Sequence, residues 1–172
     1  MSVAAALLVA KLVIPQVAAP IQIDGELDET AWLAPARTGQ FTDAHGDVAS
    51  PYSDARVLRD DQFLYLALYA ADEDVRSTDA FVVSFTSARG TKTLRFTADG
   101  KAPAGTRVAK DLDGSLDAPA DDDEEWLVEA AIPLAAVPFG ADGEVTATFT
   151  RCDLTKDHVR RCGSWRGTLV KR

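Results

Sequence analysis

The sequence predicts an all-β domain, an antiparallel β-sandwich with one or two short helical turns. Three observations carry this. Nine or so short runs rich in β-branched and aromatic residues are separated by Gly, Pro, Asp and Ser clusters. Helical periodicity is nearly absent. One run, residues 63–70, is apolar on both faces: Phe63, Tyr65, Ala67 and Tyr69 share one side, and Leu64, Leu66, Leu68 and Ala70 the other. A strand of that kind belongs at the centre of a sheet covered on both sides. Strand after strand without intervening helices packs as sheet on sheet. At 172 residues the chain is read as one domain, residues 1–172, large enough to bury about 70% of its unfolded surface.

Taken in order, residues 6–17 are apolar and β-branched up to Pro15 and the Pro20 turn, which suits an edge strand. The stretch Ile23-Asp24-Gly25-Glu26-Leu27-Asp28-Glu29-Thr30-Ala31-Trp32 is a tight turn running into one helical turn. Gly25 accepts positive φ and Asp24 bonds its own backbone. Asp28 is expected to cap the helical turn, with Glu29 in its first turn. Trp32 then faces inward and plugs the loop into the core. Residues 40–42 read as a short strand and 43–51 as a loop.

Residues 55–58 and 63–70 form two strands joined by a polar turn. Asp72, Glu73, Asp74 and Asp79 break the pattern before a strand at 81–85, which Ser87-Ala88-Arg89-Gly90 connects as a hairpin to 91–97. The polar stretch 101–125 contains a short strand at 106–109 and the acidic run 121–125. A strand at 126–132 stops at Pro133 and a helical turn follows at 134–137. Strands at 144–152 and 164–170 flank a charged loop, 153–161.

Composition narrows the function. Eighteen Lys and Arg stand against 27 Asp and Glu, a formal charge of −9. Such a surface repels phosphate backbones, so no nucleic-acid partner is expected. Residues 1–10 are apolar but too short to span a bilayer and lack preceding basic residues; they are expected to begin the folded chain or to be a relic of a processing site, and no membrane association is expected. Two cysteines, Cys152 and Cys162, lie ten positions apart. Placed opposite one another at a hairpin base they would form a disulfide, which favours an exported protein; two free core thiols are the alternative. With His45 and His158 as the only histidines, the ligands for a zinc site are lacking. No Ser-His or Cys-His signature and no glycine-rich phosphate loop is present, and no carboxylate pair sits in a recognisable catalytic context. The chain is expected not to be an enzyme.

Several of these pieces recur in one order elsewhere. The 23–29 stretch with Trp32, Ala55-Arg56-Val57-Leu58, the 61–69 strand, Asp79 ahead of a strand, Trp126-Leu127-Val128-Glu129-Ala130-Ala131-Ile132-Pro133, and Ser164-Trp165-Arg166 together resemble the family 9 carbohydrate-binding modules and their DOMON-like relatives. The resemblance runs nearly end to end. It implies a jelly-roll-like sandwich, attached to larger exported enzymes that degrade polysaccharides, which binds a sugar or a polysaccharide chain end between aromatic rings, with calcium holding loops. An extracellular or periplasmic location follows from the same resemblance.

Residue by residue, the resemblance puts Trp165 at a stacking position and Arg107 at a sugar-contacting arginine, with Arg95 a second basic candidate. Stacking would use the apolar face of the pyranose, and the arginine forks its hydroxyls. The partner aromatic is missing: Arg76-Ser77-Thr78 stands in its place. The family's acidic ligand falls on Val82, and Arg161-Cys162-Gly163 occupies the place of an amide. Asp72 and Asp79, with Glu73 and Asp74 nearby, are the candidate oxygen ligands for a structural calcium. The alternative to sugar binding is a protein-interaction scaffold that keeps the fold and has dropped the sugar site.

Overall fold

Strand register sorts the chain into two facing five-stranded sheets, as the computed structural model of residues 10–172 shows. The first has the order β1 (Ala10–Val13), β10 (Arg160–Val170), β9 (Glu144–Leu154), β5 (Ala80–Ser87), β6 (Gly90–Thr97). The second has the order β2 (Ala36–Arg37), β3 (Ser53–Arg59), β4 (Phe63–Ala71), β8 (Glu125–Pro133), β7 (Arg107–Asp113). All pairings are antiparallel except β1 with β10, which is parallel. The all-β sandwich expected from the alternation is therefore present. The start of the expected edge strand, residues 6–9, lies outside the described residues.

Leu64, Leu66 and Leu68 of β4 meet Phe81, Phe85 and Phe149 between the layers, all fully buried. The opposite side of β4 is buried by a different device. After β1, Ile14 N donates to Val170 O of the first sheet, and three residues later Val17 N donates to Arg59 O of the second. The chain thus crosses between layers and lays Ile21 and Trp32 over Leu58, Tyr65, Ala67 and Ala131. This second core explains why β4 is apolar on both faces.

The 23–32 stretch does form a turn and a single 3₁₀ turn, Thr30–Leu33, with Trp32 buried. Asp28 does not cap it: Glu29 occupies the N-cap position and no side chain caps. The anchor is tertiary instead. The buried Glu129 carboxylate of β8 accepts from Asp24 N and Gly25 N at 3.1 Å each and from Trp32 Nε1 at 3.1 Å. Gly25 has φ +96°, and a Cβ there would lie 2.7 Å from Lys110 O, so both its conformation and its space demand glycine.

Other boundaries moved. Residues 40–42 make only isolated bridges, Thr42 with Val48 and with Ser164, because the segment passes from one sheet to the other: Phe41 N donates to Ser53 O of β3 and Thr42 N to Ser164 O of β10. The 106–109 strand extends as β7 to Asp113. β9 and β10 run further than expected, to Leu154 and from Arg160, so Cys152 and Cys162 are register partners and are joined by a disulfide.

Candidate functional site

On β9 every second residue, Val145, Ala147, Phe149, Arg151 and Asp153, is buried, so the residues between them face outward. At the Cys152 end of the first sheet this parity opens a cavity of about 320 Å³ on the outer surface. Thr78, Val82, Arg95, Thr150, Leu154 and Arg160 line it, and the buried carboxylates of Asp79 and Asp153 border it. Arg95 Nη2 donates to Thr78 O at 2.7 Å, which fixes one end of the guanidinium and leaves its other N–H groups for a ligand. Val82, Leu154 and the sulfur of Cys152 give the walls an apolar component.

Behind the cavity lies a charged cluster that closes one end of the sandwich. Carboxylate oxygens of Asp72, at the end of β4, Asp79, before β5, and Asp153, in β9, lie within 4.8 Å of one another. Arg151 Nη2 donates to Asp72 at 2.7 Å and to Asp153 at 3.1 Å. Trp126 Nε1 donates to the same Asp72 oxygen at 3.0 Å, and Arg76 N to Asp79 at 2.8 Å. Burial, reinforced by like charges nearby, pushes Asp79 up to about 7 and Asp153 up to about 6. Three carboxylates against one guanidinium leave the cluster rich in hard oxygen donors, the ligand type calcium takes. The donor set fits a divalent ion chemically, with Arg151 competing for two of its three members.

The three residues expected to bind sugar are not brought together. Arg95 lines the cavity. Arg107 is on the far side of the second sheet, with its guanidinium 4.4 Å from the centroid of the Phe63 ring, beside Val17, Pro20 and Asp60. Trp165 pairs in register with Phe149 and shares its inward face; the two ring centroids are 5.8 Å apart. The indole lies over Gly167, where a Cβ would be 2.4 Å from the ring. Trp165 is half-buried against the core and does not border the cavity.

Asp72 and Asp79, by contrast, do meet. Their third partner, Asp153, and Arg160 fall in the stretch that the sequence predicts as a charged loop, and no motif marks Arg151. The inward alternation continuing past Phe149 was the available signal for Arg151 and Asp153.

No family model and no curated protein matches the chain. Solved structures do share its fold. A family 9 carbohydrate-binding module from Caldicellulosiruptor kristjanssonii in complex with cellotriose superposes with a TM-score of 0.69 at 14% identity, over 95% of this chain and 94% of that one. The same organism's family 9 module in complex with glucose gives a TM-score of 0.69 at 14% identity, over 95% and 96%. A protein from Bacteroides uniformis gives 0.62 at 15% identity, over 94% and 99%.

Proposed function

We propose that this domain is a non-catalytic carbohydrate-binding module whose sugar site is the cavity on the outer face of the first sheet. The observation that carries the reading is the cavity itself: a recess of about 320 Å³ holding two exposed arginines and threonine hydroxyls beside an apolar wall. Arg95 and Arg160 would donate to ring and hydroxyl oxygens, Thr78 and Thr150 would exchange hydrogen bonds, and Val82 and Leu154 would touch the C–H face of the sugar. The folds it resembles support this, since one neighbour is in complex with cellotriose and another with glucose. Trp165 enters the reading as a packing residue. Lacking an aromatic wall, the site should bind weakly.

Calcium is proposed as a structural ion held by Asp72, Asp79 and Asp153, where it would tie the end of β4 to β5 and β9. The Cys152–Cys162 disulfide supports an oxidising location, extracellular or periplasmic, and a place within a larger exported enzyme is part of the same proposal.

Titration calorimetry with glucose, cellotriose and a panel of oligosaccharides tests the site. Arg95→Ala should weaken binding about tenfold or more by removing a charged donor, whereas Trp165→Ala should lower stability and leave the affinity of the folded fraction unchanged. Saccharide binding lost in Trp165→Ala and kept in Arg95→Ala would move the site elsewhere. Melting curves in calcium chloride and in EDTA test the ion: a melting temperature indifferent to both removes it.

A further inference from the structure

Resting on that carbohydrate reading, we infer that the ligand is an acidic polysaccharide, a polyuronate chain, laid across the outer face of the first sheet from the cavity toward Arg166. Register aligns the outward side chains of β10, β9, β5 and β6 in rows. The row nearest the cavity runs from Ser164 through Thr150 and Val82 to Arg95, and the next begins on Arg166 and continues through hydroxyls to Thr93. The row beyond that is threonine throughout. With strands about 4.8 Å apart and like-facing residues about 6.8 Å apart along each strand, the patch measures about 14 Å by 14 Å.

Its charge is the opposite of the protein's. The chain carries a net −9, yet no carboxylate occurs in these three rows. Three acids at its margins are neutralised, Glu144 by Lys11, Asp99 by Lys101 and the buried Asp153 by Arg151. Asp79, also buried, accepts from Arg76 N. Asp142, exposed beside the threonine row, accepts from Glu144 N and is the one acid there with no cation among the described residues. Arg95, Arg160 and Arg166 are exposed and make no ion pair among the described residues.

These features select the occupant. Arginine offers only donors, in a planar fork that matches a carboxylate with two parallel bonds. Serine and threonine hydroxyls both donate and accept, and cross-strand bonds already orient them: Ser84 with Thr93 at 2.9 Å and Thr86 with Thr91 at 3.1 Å. A polyuronate supplies a carboxylate on each sugar and hydroxyls between. An acidic protein is a poorer match, because the rows offer no aromatic anchor of the kind that concentrates protein–protein affinity.

The test compares polygalacturonate, the same polymer with its carboxyls reduced, dextran sulfate and cellotriose, each against the parent, Arg166→Gln on the face, and Arg37→Gln on the other sheet as a control. Binding to polygalacturonate should weaken with salt, fall about tenfold on carboxyl reduction, and fall about fivefold in Arg166→Gln, the worth of one exposed ion pair. Arg37→Gln should bind as the parent does, and cellotriose should not distinguish Arg166→Gln from the parent. Equal binding of the reduced polymer overturns the inference. So does tighter binding of dextran sulfate that Arg37→Gln weakens as much as Arg166→Gln. Cellotriose bound and polygalacturonate ignored overturns the polyuronate alone and leaves the carbohydrate reading; no saccharide bound overturns both.

Discussion

Glu129 should make stability rise as pH falls toward 5, because nothing in its surroundings offsets its charge except dipoles. The side chain is 0% exposed, and no ion pair involves it among the described residues. Burial outweighs its three N–H donors and pushes the carboxyl from 4.5 up to about 7. An acid whose folded value lies above its unfolded value holds its proton more tightly in the native state. The native state therefore has its full advantage below 4.5 and loses it as pH rises through about 7. Over an interval of about 2.5 pH units, at about 1.4 kcal/mol each, the change is about 3–4 kcal/mol.

Glu129→Gln cannot ionise, and it replaces one of two acceptor oxygens by a donor facing either Trp32 or the Asp24–Gly25 turn. It should be less stable than the parent by about 1–3 kcal/mol near pH 5, the cost of an unmatched buried donor. The parent should lose this lead, or fall behind, near pH 8. Urea unfolding followed by tryptophan fluorescence measures both, since Trp32 and Trp126 are buried. Asp79 and Asp153 titrate in the same range but are common to both proteins, so the difference between the curves isolates Glu129. A parent–variant difference constant to within about 0.5 kcal/mol across that range refutes the reasoning.

Gly25→Ala should cost about 1–3 kcal/mol in urea unfolding, through a left-handed φ and a collision with backbone that cannot yield; a neutral result would mean the turn relaxes. Replacing Cys152 and Cys162 together by serine should lower stability by about 2–3 kcal/mol, the entropy of a short closed loop in the unfolded chain, and dithiothreitol should have no further effect on that variant. Arg151→Ala removes the cation facing Asp72 and Asp153 and should cost about 3–5 kcal/mol near pH 8. The deficit should shrink toward pH 5 as the raised Asp79 and Asp153 protonate; a deficit unchanged with pH would show that lost packing dominates.

The fold was legible because alternation is a local property. Residues 63–70 announced a strand with two apolar faces, and the second core under Trp32 is what that pattern required. The candidate site was less legible because it depends on which face each strand presents, and that is set by register parity across distant strands. Arg107, Arg95 and Trp165 can be ordered along the chain by resemblance, yet Arg107 falls behind the second sheet and Trp165 on the inward side of β10. A local sign of the latter existed: Gly163 and Gly167 flank Trp165 at two-residue spacing, and a Cβ on Gly163 would meet Ala49 while one on Gly167 would meet the indole itself. Glycines on one parity of a strand mark the side where something packs closely.

Asp153 shows the reverse difficulty. Residues 153–161 have no apolar alternation to reveal a strand, so extension of β9 to Leu154 follows from pairing with β10 and the disulfide rather than from local preference. Once that pairing is set, parity turns Asp153 inward beside Arg151 and turns Thr150 and Arg160 outward into the cavity. One hairpin thus contributes to both features: its inward face supplies Arg151 and Asp153 to the charged cluster, and its outward face supplies Thr150, Leu154 and Arg160 to the recess proposed to bind sugar. Ligand binding and stability at this end are therefore linked through shared backbone, and a substitution at Asp72 or Arg151, neither of which lines the cavity, should reach it through Asp153.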